Sequence, residues 1–179
     1  MRIVMITGSP HKNGTSAILA ANFIRGAKEA GHEVFRFDGA FRKVHPCIAC
    51  EKCHTTETGC AFKDDMEELK PKLLEADAVV FVTPIYYYDM NAQIKAVIDR
   101  FYAITEELSG MEKKTALMLT CGDTTMTSAD GAIESYKGIV NYFGWDDSGT
   151  IAAVGSYTVD DINASDYPEQ AYKLGKNFR

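Results

Sequence analysis

Cysteines are concentrated in one short part of the chain, and their spacing there suits metal or redox chemistry. Cys47, Cys50 and Cys53 are separated by two residues each, and Cys60 follows after six more. Three thiolates on a tight turn with a fourth close behind are typical of loops that bind a 4Fe–4S cluster. Zinc is an alternative, although structural zinc sites usually combine two separated Cys-x2-Cys pairs. Free or redox-cycling thiols are the other interpretation, so the spacing alone leaves three states open.

A second distinctive segment, Gly8–Ser16, joins an apolar run to a segment of helical period. It is rich in small and hydroxyl-bearing residues, so backbone N–H groups and hydroxyls at the start of the helix are expected to surround a phosphate. No Lys-Ser/Thr pair follows Gly14, and the Gly-x-Gly-x-x-Gly pattern is absent, which excludes a Walker A loop and a dinucleotide fingerprint. The alternative is a plain strand-to-helix turn whose Ser and Thr residues cap the helix.

Three consecutive tyrosines, Tyr86–Tyr88, follow a third apolar run and the pair Thr83-Pro84. Their rings carry a large apolar area with one polar tip, so they need a flat ligand or a partner surface to cover them. An isoalloxazine ring fits this requirement. The alternative is that the rings fill a corner of the core or a subunit interface.

Short apolar runs alternate with segments of helical period along the chain, which predicts strands joined by crossover helices. Strands are predicted at Ile3–Ile6, Glu33–Asp38, Ala78–Val82, Thr115–Thr120 and Gly149–Val154. Helices are predicted at Thr15–Ala30, Asn91–Leu108, Ser128–Phe143 and Ser165–Lys176. A further helix is predicted after an Asp64-Asp65 cap, with Pro71 bending or interrupting it. Crossover helices force the strands to pair in parallel. The predicted fold is therefore α/β, a flavodoxin-like doubly wound five-stranded parallel sheet of order 2-1-3-4-5 with helices on both faces.

Ligands of such sheets bind at the carboxyl ends of the strands, near the point where the strand order reverses. The loops after the first, third and fourth predicted strands meet at that edge. The Gly8–Ser16 and Tyr86–Tyr88 segments belong to two of these loops. No Ser-His-Asp or other hydrolase arrangement stands out, so the chemistry is assigned to a cofactor.

Composition excludes several other classes of protein. The 179 residues are 46% hydrophobic and 25% charged, as in an ordinary folded domain, and we expect one domain over residues 1–179 with a Cys-rich segment at 45–63 inserted after the second strand. The net charge of −6 argues against nucleic acid or an anionic membrane as a partner. The first apolar run breaks at Gly8, too early for a signal sequence, so a cytoplasmic location is expected.

Taken in order, these segments resemble the flavodoxin-like NAD(P)H-dependent FMN reductases, and more narrowly their iron–sulfur flavoprotein branch. The resemblance covers roughly residues 2–123. It rests on Gly8-Ser9-Pro10 with Asn13-Gly14-Thr15-Ser16, on the four spaced cysteines followed by Asp64-Asp65-Met66, and on Thr83-Pro84-Ile85-Tyr86 leading to Gln93-Ile94-Lys95 and Ile98-Asp99-Arg100.

The resemblance implies roles for particular residues. By that similarity, the FMN phosphate is held by Ser9, His11, Asn13, Gly14, Thr15 and Ser16; the ribityl chain and ring are lined by Pro84, Ile85, Tyr86, Tyr87 and Tyr88; and the other edge of the ring is closed by Thr120, Cys121, Gly122 and Asp123. Three positions depart from the family pattern: His11 stands where relatives often carry Arg, Thr15 where Asn is common, and Asp89 where Gly often follows the aromatic residues.

The function that this resemblance implies is reduction of bound FMN by NAD(P)H, with electrons passed on to a quinone, a flavin or a similar small acceptor. An alternative is an electron carrier that exchanges electrons with a ferredoxin-like protein through FMN and a 4Fe–4S cluster held by Cys47, Cys50, Cys53 and Cys60. A zinc-bearing interaction module is a third reading. The resemblance also implies a homodimer or homotetramer.

Two pairs of neighbouring charged residues have structural interpretations. Asp64-Asp65 is predicted to cap the following helix. Asp99-Arg100 is predicted to form an intrahelical or interface pair. Cys121 is expected to be a buried, inert thiol.

Overall fold

A computed structural model describes all residues from Met1 to Arg179. Five parallel strands form its sheet in the spatial order β2-β1-β3-β5-β6, and a sixth strand, β4, pairs with the end of β3 in the antiparallel direction. The strands are β1 Arg2–Thr7, β2 Glu33–Asp38, β3 Ala78–Tyr86, β4 Asp89–Met90, β5 Lys114–Thr120 and β6 Asp146–Ala153. The predicted fold is confirmed, because the five long strands taken in chain order have the spatial order 2-1-3-4-5.

Eight helices connect or cover these strands. They are α1 Thr15–Glu29, α2 Lys52–Thr55, α3 Met66–Glu75, α4 Ala92–Asp99, α5 Thr105–Ser109, α6 Asp130–Phe143, α7 Val159–Asn163 and α8 Tyr167–Lys176, with 3-10 turns at Gly39–Phe41, Arg100–Ile104 and Met126–Ala129. None of these helices combines the length and the apolar character that a membrane span requires.

The helices bury two apolar cores, one on each face of the sheet. On one face, α1, α7 and α8 pack on Ile3, Met5, Val80 and their neighbours. On the other face, α3, α4, α5 and α6 pack on Val4, Ile6 and their neighbours. Alternate residues of β1 therefore serve opposite cores, as expected for a central parallel strand buried on both sides.

The structure differs from several of the predicted elements. The helix predicted over Asn91–Leu108 is divided into α4, a 3-10 turn from Arg100 to Ile104, and α5. Pro71 does not interrupt α3, which continues through it. β4 was not predicted, because a turn made of two tyrosines carries none of the Gly or Asn residues that normally mark a tight hairpin.

Candidate functional site

An open cavity of about 880 Å³ lies at the carboxyl ends of the strands, where the loops after β1, β3, β5 and β6 meet. A volume of this size is in the range of cofactor-binding pockets. Twelve of the predicted residues line it: Ser9, His11, Asn13, Gly14, Thr15, Ser16, Pro84, Ile85, Tyr86, Thr120, Cys121 and Gly122. The structure therefore brings together residues that are more than a hundred positions apart in the sequence.

The N-terminus of α1 opens into this cavity. Gly14 occupies the N-cap in extended backbone conformation, no side chain caps the helix, and its first turn contains no acidic residue. The first backbone N–H groups of a helix have no intrahelical partner and carry a partial positive charge. This end of the cavity is thus suited to an anion.

Side chains add to the polar character of that end. The Ser9 hydroxyl accepts a hydrogen bond from the backbone N–H of His11 at 3.2 Å. The buried hydroxyls of Ser16 and Thr120 are 2.8 Å apart, which ties the first turn of α1 to the end of β5. Lys12 also lines the cavity, with its Nζ 5.0 Å from the centre of the Phe41 ring. Lys12 therefore supplies a cation beside His11 in the lining of the cavity.

Asn91 fixes the loops around the cavity to one another, and the sequence did not identify it. This fully buried side chain donates from Nδ2 to the carbonyl oxygen of Gly8 at 2.5 Å. Its Oδ1 accepts from the Thr83 hydroxyl at 3.0 Å and, as the N-cap of α4, from the backbone N–H of Ile94 at 3.3 Å. One amide thus joins the loop after β1, the end of β3 and the start of α4.

Of the three predicted tyrosines, only Tyr86 lines the cavity. Tyr87 and Tyr88 form the tip of the β3–β4 hairpin, with φ of 47° and 68°, and Tyr87 is completely exposed. Left-handed backbone at a residue other than glycine costs roughly 1–2 kcal/mol. The prediction that all three rings line the pocket is therefore not met by this structure, and the hairpin tip is a strained, exposed aromatic surface.

Asp123 also lies outside the cavity lining. Its carboxylate accepts a hydrogen bond from the Ser128 hydroxyl at 2.6 Å and another from the backbone N–H of Thr125 at 3.1 Å. These hydrogen bonds, that from Ser128 foremost, lower the pKa of Asp123. The residue shapes the loop after β5 and does not line the cavity in this structure.

The far wall of the cavity comes from residues that were not predicted. Ser156, Tyr157 and Val159 follow β6, and Tyr157 is 83% exposed. A Cβ on Gly122 would lie 2.8 Å from the Tyr157 ring, so glycine allows the ring to approach the backbone this closely. The sequence could have indicated these residues, because β6 is a parallel strand whose carboxyl end lies at the same edge of the sheet.

The four clustered cysteines line a second, narrow cavity. Cys47 and Cys50 are exposed, Cys53 is half-buried and Cys60 is buried. Ala49 and Glu51, on either side of Cys50, both have positive φ, at 51° and 58°. Strained residues other than glycine are typical of ligand-binding loops. No three His, Cys, Asp or Glu side chains converge on a single metal position, so the predicted metal site is not preformed for one ion.

The surroundings of Cys53 favour its protonated thiol. Burial, followed by the neighbouring Cys60, Glu51 and Cys47, raises the pKa of Cys53, against a smaller opposing effect of a backbone hydrogen bond. Ligation of a metal requires the thiolate. Binding of a metal or cluster here would therefore release protons.

Arg100 and Asp64 form a buried ion pair beside the cysteine segment, and this corrects the prediction that Arg100 pairs with Asp99. Arg100 pairs with Asp64 at 2.7 Å with both side chains buried, whereas Asp99 pairs with Lys95. Asp65 occupies the N-cap of α3 without a side-chain hydrogen bond to the helix. Asp64, one residue earlier, accepts from the Met66 N–H at 3.1 Å and from the His45 N–H at 3.0 Å. Burial acts to raise the pKa of Asp64, and hydrogen bonds from Arg100, His45 and Met66 outweigh it and lower that pKa.

Comparison with known proteins defines the class to which this fold and pocket belong. The family model for NADPH-dependent FMN reductase matches residues 1–144. An NAD(P)H:quinone oxidoreductase from Methanothermobacter marburgensis superimposes with a TM-score of 0.78 over 100% of this chain and 96% of that chain, at 21% identity. That likeness shows a flavodoxin-like fold.

Two curated relatives that are similar to this chain are named iron-sulfur flavoproteins. An iron-sulfur flavoprotein of Methanocaldococcus jannaschii is 38% identical over 106 residues, 58% of this chain and 52% of the relative. An iron-sulfur flavoprotein of Methanosarcina thermophila is 29% identical over 135 residues, 75% of this chain and 70% of the relative. The chain thus spans about half the length of the first of these relatives. It belongs to the NADPH-dependent FMN reductase family.

Proposed function

We propose that the protein binds FMN in the cavity at the carboxyl edge of the sheet and passes electrons from NAD(P)H to a quinone, a flavin or a similar small acceptor. The observation that carries this proposal is one cavity that combines an uncapped helix N-terminus at one end with aromatic walls at the other. Membership of the FMN reductase family supports it. The assignment of residues 1–179 to one flavin-binding domain, a homo-oligomeric state and a cytoplasmic location are parts of the same proposal.

The residues present fit the phosphate of FMN. The N–H groups at the start of α1, the hydroxyls of Ser9 and Thr15, and the cation of Lys12 supply donors and positive charge at one end. A Cβ on Gly14 would come within 2.9 Å of the His11 Cβ, so the turn is closed tightly by glycine. Anions at helix N-termini are stabilised by these donors and by the helix dipole.

The other end of the cavity fits a flat ring. Pro84, Ile85 and Tyr86 line the cavity, as do Gly122 and Tyr157. FMN, when bound there, would supply the two-electron chemistry that no side chain of the site provides. The protein would hold the ring, keep water from its covered face and leave the other side open for the nicotinamide or the acceptor.

A second candidate function is electron carriage through FMN and a 4Fe–4S cluster. The specific observation in its favour is that all four clustered cysteines border the same cavity. Each thiolate of such a cluster binds a different iron, so the ligands surround the cluster and need not converge on one point. The free space in that cavity is only about 20 Å³, so loading would require the exposed Cys47–Cys50 side of the loop to open.

Substitution of Lys12 tests where the phosphate is held. We expect Lys12→Ala to weaken FMN binding several-fold, because an exposed charge contact contributes about 0.2–1 kcal/mol. Binding of riboflavin, which has no phosphate, should not change. Lys28→Ala, an exposed lysine in the last turn of the same helix, is the matched control. Equal weakening of FMN and riboflavin by Lys12→Ala, or no effect on either, would contradict the proposed orientation.

The source and destination of electrons separate the candidates. Rapid bleaching of the flavin by NAD(P)H under anaerobic conditions supports the reductase. Reduction by a ferredoxin-like protein but not by NAD(P)H supports the carrier. A colourless protein that contains zinc would overturn both in favour of a zinc-bearing interaction module.

A further inference from the structure

Arg100 carries a buried hydrogen-bond donor without a partner at the cysteine cavity. Its side chain is 1% exposed and lines the same cavity as the four cysteines. Its Nε is buried and has no hydrogen-bond partner. Leaving a charged donor unsatisfied away from water is costly, so a buried unpaired group of this kind calls for an explanation.

The other nitrogens of the same guanidinium are fully engaged. Nη1 donates to the carbonyl oxygen of His45 at 2.8 Å and to Asp64 at 2.7 Å. Nη2 makes longer contacts, to the carbonyl oxygen of Phe62 at 3.4 Å and to Asp64 at 3.3 Å. These contacts hold both ends of the cysteine segment and fix the plane of the guanidinium. Only the Nε–H remains for a ligand in the cavity.

We propose that the Arg100 Nε–H is a hydrogen-bond donor to the sulfur of the group that Cys47, Cys50, Cys53 and Cys60 hold, and that Arg100 is a positioning residue which sets the reduction potential of that group. The inference rests on the proposed cluster of the second candidate function. Arg100 would act as an outer-sphere partner, which orients the ligands and tunes the metal without binding it.

The proposed hydrogen bond has a defined electrostatic effect. Hydrogen bonds to cluster and thiolate sulfur stabilise the reduced, more negative state, so they raise the reduction potential. Asp64 neutralises the net charge of Arg100, which leaves the direct Nε–H contact as the main influence of this pair on the cluster. Loss of that contact is expected to lower the potential and weaken retention of iron.

Arg100→Lys is the informative variant, because it keeps a cation to pair with Asp64 but removes the donor at the Nε position. Arg36→Lys is the matched control, since Arg36 pairs with Asp38 at 2.8 Å on the surface and does not line the cysteine cavity. Wild type and both variants are reconstituted anaerobically with iron and sulfide. FMN content and thermal unfolding verify folding, and the cluster potential and the rate of iron loss to a chelator are then measured.

We expect Arg100→Lys to shift the cluster potential to more negative values and to lose iron about tenfold faster, in line with other outer-sphere substitutions. Arg36→Lys should match wild type in both measurements. Iron-loaded Arg100→Lys with an unchanged potential would overturn the tuning role, even if the cluster were lost faster. That result would mean that Arg100 only stabilises the cysteine segment. Wild type that takes up no iron and sulfide would overturn the cluster as well, while FMN binding still tests the reductase.

A measurement on the wild-type protein decides the case if Arg100→Lys does not fold. Reduced, cluster-loaded protein labelled with 15N at arginine Nε is examined by pulsed electron paramagnetic resonance. The proposal predicts hyperfine coupling between the cluster and an arginine nitrogen. Absence of that coupling overturns the proposed hydrogen bond.

Discussion

Replacement of Asn91 by alanine removes the amide that joins three loops of the proposed FMN site. Asn91 is completely buried, and its Nδ2 is the side-chain donor to the Gly8 carbonyl oxygen, at 2.5 Å. Its Oδ1 also caps α4 through the Ile94 N–H. The Thr83 hydroxyl, in contrast, retains a second acceptor in the Pro84 carbonyl oxygen at 2.9 Å. The substitution therefore removes one helix cap and leaves one buried carbonyl without its partner.

These two losses set the expected magnitude. Loss of an N-cap side chain costs about 1 kcal/mol, and a buried acceptor left unsatisfied costs about 1–3 kcal/mol. We expect the free energy of unfolding of Asn91→Ala to fall by roughly 2–4 kcal/mol. Because Gly8 begins the loop that leads to α1, we also expect FMN affinity to fall about tenfold, equivalent to about 1.4 kcal/mol.

Urea unfolding and FMN titration measure the two effects separately. Asn91→Asp keeps the cap acceptor but cannot donate to Gly8, so it should retain helix α4 and still lose FMN affinity. Asn22→Ala is the control, because Asn22 donates to a backbone carbonyl at 2.9 Å on α1, away from the cavity lining. That control should change stability by less than about 0.5 kcal/mol. Stability of Asn91→Ala within that same margin of wild type would refute the reasoning.

Three further perturbations test other parts of the structure. Asp64→Asn leaves the Arg100 charge buried and should lower the free energy of unfolding at neutral pH by about 3–5 kcal/mol. Because the pKa of Asp64 is lowered in the folded state, the stabilisation is complete above the ordinary pKa of about 3.9 and declines as the pH falls through the folded-state pKa. The unfolding free energies of wild type and variant, measured in urea, should therefore converge only in acid. A loss below about 1 kcal/mol at neutral pH would count against the buried pair. Gly131→Ala should destabilise the protein by about 1–3 kcal/mol, because the new Cβ would lie 2.3 Å from the Tyr88 carbonyl oxygen. Gly138→Ala on the same helix is the control, since its Cβ meets nothing within 4 Å and should raise the melting temperature. Equal effects of the two substitutions would contradict the close packing at Gly131. Tyr88→Gly should relieve the backbone strain at φ 68° and stabilise the protein by up to about 1 kcal/mol, and a lower melting temperature would show that the Tyr88 side chain stabilises the hairpin more than its backbone strain destabilises it.

The sheet and its order follow from periodicity in the sequence. Apolar runs such as Ile3–Ile6 and Ala78–Val82 are buried on both faces, and only parallel central strands require that pattern. The end of the pocket at the start of α1 was predictable for a different reason. A strand, a small-residue turn and a helix N-terminus are contiguous in the chain, so local sequence determines their arrangement.

Contacts between distant segments were not predictable in this way. Arg100 was expected to pair with its neighbour Asp99, but the break between α4 and α5 turns it towards Asp64, 36 residues earlier. Asn91 reads locally as a helix cap, and nothing near it in sequence indicates the bond to Gly8. The turn at Tyr87 was hidden because a tyrosine rarely adopts the left-handed backbone that this turn requires.

The visible absorption spectrum of anaerobically purified protein, recorded before and after addition of NAD(P)H, tests the central claim most directly. FMN, iron, acid-labile sulfide and zinc are quantified on the same sample. We expect about one FMN per chain, with flavin absorption that NAD(P)H bleaches; iron and sulfide near four per chain would add the cluster. A protein that neither contains FMN nor binds it when FMN is added would contradict the assignment of the cavity.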